Sequence, residues 1–161
     1  MMPKKFSDFA DRRKHLKDEE YMQMAIKEAE KAQFDGNPAI GAVLVTGKGF
    51  YTDGNTAYSE SDHCNHAEMN VIRKAASVQD RSLNDAVLYS TLEPCIMCSM
   101  AAYYNGIREV VFGAYDDASG FVSSKLLSDH TFLGITYKGG VLGKECMKLL
   151  PEDYQEHLRI E

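Results

Sequence analysis

Residues 66 to 98 read HAEMNVIRKAASVQDRSLNDAVLYSTLEPCIMC, and this stretch decides the fold. About His66 to Ala76 reads as a helix and Ala86 to Thr91 as a strand, and Pro94-Cys95 opens a second helix that runs to about Tyr104. Pro94 suits that opening, because its missing N–H falls where a helix has no partner to offer. Upstream, Asp18 can cap a helix whose apolar positions Tyr21, Ala25, Ala29 and Ala32 keep helical spacing until Asp35-Gly36 ends it. The apolar run from Ala39 to Val45 reads as a buried strand, and Gly47-Lys48-Gly49 turns it into a second strand of about Phe50 to Asn55. A polar loop, Ser59 to Asn65, then leads back to His66.

Downstream, Glu109 to Ala114 reads as a strand, Asp116 to Gly120 as a loop and Phe121 to Asp129 as a helix. Ile135 to Lys138 is a further strand, followed by short helices from about Lys144 and Glu152. The first two strands form a hairpin and the rest alternate with helices, which predicts a three-layer α/β/α domain with helices on both faces of the sheet. No repeat, low-complexity tract or long linker divides the chain. It is therefore expected to be one domain over residues 18–161, preceded by an N-terminal arm over 1–17.

Composition narrows the class. Of 161 residues, 44% are hydrophobic and 26% charged, as in ordinary globular proteins. No apolar run approaches a membrane span and the start carries no apolar signal core, so a cytoplasmic protein without a membrane partner is expected. The four cysteines, two of them in one C-x-x-C, read in a reducing compartment as metal or catalysis before disulfide. The net charge of −6 argues for a small-molecule substrate over a polyanion such as tRNA, since gripping phosphates normally takes a basic stripe. Basic residues cluster only near the N-terminus (Lys4, Lys5, Arg12, Arg13, Lys14 and Lys17), with acids between them.

The chemistry lies in His66-Ala67-Glu68 and Pro94-Cys95-Ile96-Met97-Cys98. One imidazole and two thiolates make three zinc ligands, the number that leaves a tetrahedral position for water. Both halves open helices, whose unpaired N–H groups and dipole favour the thiolate form of Cys95 and Cys98. The two cysteines are three apart and share one helix face. His66 and Glu68 are two apart and diverge, so one can address the metal and the other the substrate. Two other readings stand beside this: a closed structural zinc site with Cys64 or His63 as fourth ligand, and a redox pair at Cys95/Cys98. Both leave Glu68 without a task.

H-x-E followed by P-C-x-x-C is the signature of zinc deaminases acting on nucleobases. From about Glu20 to Leu150 the chain resembles the cytidine deaminase superfamily, in the branch of tRNA-specific adenosine, guanine and cytosine deaminases. Asn37 to Val45 is similar to that branch's first strand, and Thr91 to Cys98 to the adenosine deaminase form of the motif. Arg108 to Ala114 with Asp117 and Gly120, and Gly139 to Cys146, continue the likeness. The resemblance implies a mixed five-stranded sheet whose last two strands are parallel. It implies one zinc ion per subunit on His66, Cys95 and Cys98, with Glu68 as proton shuttle. It also implies substrate contacts at Asn55, Ala67, Glu93 and Asp117, and a homodimer.

The implied reaction is hydrolytic deamination of an amino-substituted nucleobase or nucleoside, with release of ammonia. Deamination of adenosine to inosine in a tRNA anticodon loop is the alternative. His63-Cys64-Asn65 replaces the Pro-Thr-Ala usual in the tRNA enzymes, and the acidic segment Glu152 to Glu161 replaces their basic last helix; both departures count against tRNA. Several residues carry two readings each. Asn55 contacts substrate or only turns the chain with Gly54. Asn70 orients His66 or is solvated. Asp116 and Asp117 accept from purine N–H groups or cap the next helix. Tyr103 and Tyr104 stack a base or pack.

Overall fold

The computed structural model describes residues 17–78, 82–124 and 131–161. The elements, in chain order, are α1 (Asp18–Phe34), β1 (Gly41–Thr46), β2 (Gly49–Gly54), α2 (Ala67–Val78), β3 (Val87–Leu92), α3 (Ile96–Tyr104) and β4 (Glu109–Asp116). β5 (Thr136–Lys138), α4 (Gly143–Met147), α5 (Glu152–Gln155) and β6 (Leu158–Arg159) complete them. The sheet order is β2-β1-β3-β4-β5, with β6 added on β4. β1 pairs antiparallel with both β2 and β3, whereas β3–β4 and β4–β5 are parallel. The expected five-stranded mixed sheet with parallel last strands is present, and β6 makes a sixth strand.

The strands β1 and β3 are buried along their whole length, because helices cover both faces. Side chains alternate between two cores. Val43, Val45, Val87, Tyr89 and Val111 meet α1 and α4 on one face. Ala42, Leu44, Leu88, Val110 and Phe112 meet α2 and α3 on the other. These are the three expected layers.

Four details depart from the sequence reading. Lys17 stands at the cap of α1 and its N–H donates to Glu20 Oε2 at 2.7 Å. Asp18, read as the cap, instead accepts from Tyr89 Oη at 2.9 Å and Lys138 Nζ at 2.6 Å, joining α1 to β3 and β5. β4 runs on through Tyr115 and Asp116, read as leaving the sheet, because the unforeseen β6 pairs with both. The helix read over Phe121 to Asp129 begins as turns at 121–124, and its remainder lies outside the described residues. The same holds for the N-terminal arm, of which only Lys17 is described. Among the described residues, no helix is long and apolar enough to cross a membrane.

α1 lies directly on β1 at Gly41, where a Cβ would collide with the carbonyl oxygen of Ala25 and come within 2.5 Å of Ala29 N. Backbone atoms of a packed helix cannot yield as a side chain does. Gly41→Ala is therefore expected to lower stability by about 1–3 kcal/mol, read as a lower urea midpoint at unchanged m-value.

Candidate metal centre and active site

β3 and the C-terminal half of β2 end on the same edge of the sheet, and the chain leaving each enters the site. Open α/β sheets bind ligands beyond the carboxyl ends of their strands for this reason. His66 immediately precedes α2, while Cys95 is the N-cap of α3 and Cys98 lies in its first turn. His66 Nδ1 is 3.6 Å from Cys95 Sγ and 3.6 Å from Cys98 Sγ, and the three ligand atoms lie within 4.8 Å of one another. Tetrahedral bonds of about 2.3 Å to sulfur and about 2.05 Å to nitrogen would separate S from N by about 3.6 Å. The three side chains therefore fit a zinc ion.

Among the described residues, no other His, Cys, Asp or Glu joins this group. Cys64 is an exposed free thiol, and His63 is exposed and packs edge-on against Tyr58. The closed four-ligand site is not assembled. Hydrogen bonds from Cys98 and His66 hold the Cys95 thiol down at about 4 against the cost of its burial. The bond to Cys95, together with burial, pushes Cys98 well above the thiol range. Both sulfurs would bind zinc as thiolates, so metal affinity would rise with pH.

Glu68 lies one residue beyond the start of α2 and is only 4% exposed. Ser90 Oγ, on β3, donates to its Oε1 at 3.0 Å. Burial raises its pKa above the ordinary carboxyl range, with a further push from Cys95 and opposing pulls from His66 and Ser90. Asn70 does not reach His66. Its Nδ2 donates to Gly54 O and Thr56 Oγ1, both at 3.0 Å, and so ties the exit of β2 to α2.

His66, Glu68 and Cys95 line a cavity of about 610 Å³, and among the described residues no Lys or Arg lines it. Asn55 also lines it, 3% exposed, with Oδ1 accepting from Ala57 N–H at 2.9 Å, which leaves its NH2 group as donor to the cavity. Ala67 does not line it, because its side chain is packed into the core among α2 and the sheet.

Glu93 borders the cavity, but both its oxygens are already engaged. Oε2 accepts from Asp116 N–H at 3.0 Å and Oε1 from the N–H groups of Val122 and Ser123 at 2.8 Å. A Cβ at Gly120 would strike the Glu93 carboxyl, and Phe121 N–H donates to Pro94 O at 2.9 Å. Glu93 thus folds the segment after β4 against the cap of α3.

Asp117 is exposed, outside the cavity, and paired with Arg159 at 2.9 Å. Asp116 is fully buried and accepts from Ala118 N–H, Ser119 N–H, Ser119 Oγ and Tyr154 Oη. It builds the loop, as the capping alternative held. Tyr103 and Tyr104 pack edge to face away from the cavity, Tyr103 beneath the Arg108 guanidinium. The sequence reading missed Tyr58, Ser119 and Tyr154, which all line the cavity. They carry no motif, and their only signal is their place in the segments after β2 and β4 and in the last helix.

An α/β/α domain with a His/Cys/Cys cradle beside a buried carboxyl defines the class: a zinc-dependent hydrolase. The cytidine and deoxycytidylate deaminase zinc-binding region matches residues 15–114. The tRNA-specific adenosine deaminase of Bacillus subtilis (strain 168) is 40% identical over 144 residues, covering 86% of this chain and 89% of the relative. A structure from work on A-to-I editing by tRNA:A34 deaminases at the wobble position of transfer RNA matches with TM-score 0.72 and 35% identity. It covers 81% of this chain and 99% of its own. The X-ray structure of guanine deaminase from Bacillus subtilis matches with TM-score 0.59 and 30% identity over 63% of this chain and 66% of its own. The chain belongs to the cytidine and deoxycytidylate deaminase family of zinc-dependent hydrolytic deaminases.

Elemental analysis of purified Cys64→Ser is expected to find zinc as in the parent, whereas Cys98→Ser loses most of it. Glu93→Ala strands one buried and two part-buried amides and is expected to destabilise the fold by about 1–3 kcal/mol in urea unfolding.

Proposed function

We propose that this protein deaminates adenosine to inosine in a transfer-RNA anticodon loop, as a cytoplasmic homodimer. The observation that carries this reading is the 40% identity to a tRNA-specific adenosine deaminase across nearly the whole chain. It reverses the order expected from net charge, because a total of −6 limits the average field and not the shape of one pocket.

His66, Cys95 and Cys98 would hold a zinc ion, whose chemistry there would be to lower the pKa of water to about 7. Glu68 does the proton work. Its carboxyl takes a proton from the attacking water and delivers it to the ring nitrogen beside the amino-bearing carbon, making that carbon electrophilic. It then takes the proton of the newly added hydroxyl and passes it to the amino group, so that the C–N bond breaks, a C=O bond forms and ammonia leaves. Burial suits the task, since it brings the carboxyl's proton affinity closer to that of the groups it serves. Ser90 Oγ donates to Oε1 and so fixes the carboxyl's orientation toward the cavity. The Asn55 NH2 group is placed to donate to an acceptor on the base or sugar.

A second reading, a free neutral base or nucleoside, is favoured by a cavity lining without Lys or Arg among the described residues. Ammonia release separates the two. Zinc-loaded enzyme is expected to turn over an anticodon stem-loop bearing adenosine, and not guanine, cytosine, adenosine or deoxycytidylate alone. Turnover of a free base with none of the stem-loop reverses the assignment. Glu68→Gln is expected to keep zinc and to lose at least about 10²-fold in kcat.

A further inference from the structure

The segment between β2 and α2 exposes an aromatic ring that the zinc chemistry leaves without a task. Tyr58 is 62% exposed and lines the cavity that holds His66 and Glu68. A large exposed ring normally sits on a floppy loop or at random on a surface. This one is held firmly. Asn37, itself only 7% exposed, accepts with Oδ1 from the N–H groups of both Tyr58 and Ser59 at 3.0 Å. Asp62 N–H donates to Ala57 O at 3.0 Å and Ser61 N–H to Tyr58 O at 3.3 Å, closing the turn with Ser61 in the left-handed region at φ 52°. Glu60 Oε2 gathers Thr56 Oγ1 at 3.0 Å and Asn65 Nδ2 at 2.6 Å across the loop's neck. His63 stands against the Tyr58 ring at 6.2 Å and 78°.

A backbone ordered in advance around an exposed tyrosine lowers the entropy lost when the ring is covered. The cavity itself tells what covers it. Among the described residues its lining includes Glu68, Glu93 and Asp153 and no Lys or Arg, so this wall offers a phosphate no cation. At that wall a nucleic acid is offered contacts to its bases rather than to its phosphates. Tyrosine supplies that grip, since every base has a π-face and stacking tolerates sequence.

We propose that Tyr58 is a stacking platform for the unpaired nucleobase next to the target adenosine in an RNA loop. This rests on the tRNA reading above and deepens it: the target base enters toward His66 and Glu68 while its neighbour lies on the Tyr58 ring. His63 steadies the ring from the side. A free base or nucleoside has no such neighbour and gains nothing from Tyr58.

The test uses the full-length, zinc-loaded enzyme and an anticodon stem-loop RNA, with labelled stem-loop affinity and ammonia release measured together. Tyr58→Ala is expected to weaken binding and raise KM about ten-fold, the loss of one base–aromatic stack, with kcat within two-fold of the parent and zinc content unchanged. Tyr58→Phe, which keeps the ring, is expected to stay within two-fold in both. Stem-loops made abasic on the 5′ or the 3′ side of the target adenosine identify the partner. One of them should cost the parent about the same ten-fold and cost Tyr58→Ala nothing further.

Unchanged affinity in Tyr58→Ala, or losses that multiply for both abasic RNAs, overturns the platform while leaving the deamination of tRNA standing. A parent enzyme that neither binds nor turns over the stem-loop overturns the tRNA reading, and the platform with it.

Discussion

Everything in the site depends on two helices sharing one face of the sheet. His66 precedes α2, Cys95 and Cys98 open α3, and the three atoms must come within a few ångströms before any metal can bind. Neither helix carries enough ligands alone. The core formed by Ala67, Val71, Ile72, Ala75 and Ala102 against Leu44, Leu88, Val110 and Phe112 fixes both helices to the sheet. Small side chains on the helices let them lie close to it. The metal cradle is thus a product of hydrophobic packing, and its 3.6 Å sulfur–nitrogen separations measure how well that packing is done.

The buried carboxylates divide into two kinds. Glu68 faces the cavity beside the metal cradle and accepts from the Ser90 hydroxyl. Glu93 and Asp116 spend both oxygens on backbone N–H groups and hydroxyls of the segment after β4. Burial of an ionised carboxyl is costly unless its lone pairs are met, and here they are met in full. Sharing a cavity wall with Glu68 therefore does not give Glu93 the same freedom to meet a ligand. What separates the roles is how many of its acceptor sites the protein already fills.

The sequence made the strand–helix alternation legible because strand and helix periods differ, and the deep burial of β1 and β3 wrote itself as continuous apolar runs. The ligands and Glu68 were legible because their chemistry demands particular residue types at particular spacings. The cap of α1, the extension of β4 and the sixth strand were not. Each depends on a partner distant in sequence: Asp18 on Tyr89 and Lys138, Tyr115 on Arg159. The roles of Asp117 and Asp116 were illegible for the same reason, since a carboxylate beside a pocket looks alike whether it faces ligand or protein. Net charge and the relatives point to different substrates, because net charge sums residues over the whole surface whereas identity to a relative follows the chain residue by residue.

Leu149, Leu150, Pro151, Asp153 and Tyr154 lie about fifty residues beyond Cys98, yet they line the cavity whose metal ligands are all in place by Cys98. During synthesis on the ribosome, the zinc cradle can therefore form well before the substrate wall exists. A nascent or C-terminally clipped chain would carry a metal centre open on one side, able to bind its ion but poorly able to discriminate what approaches it. Selectivity is the last property this molecule acquires.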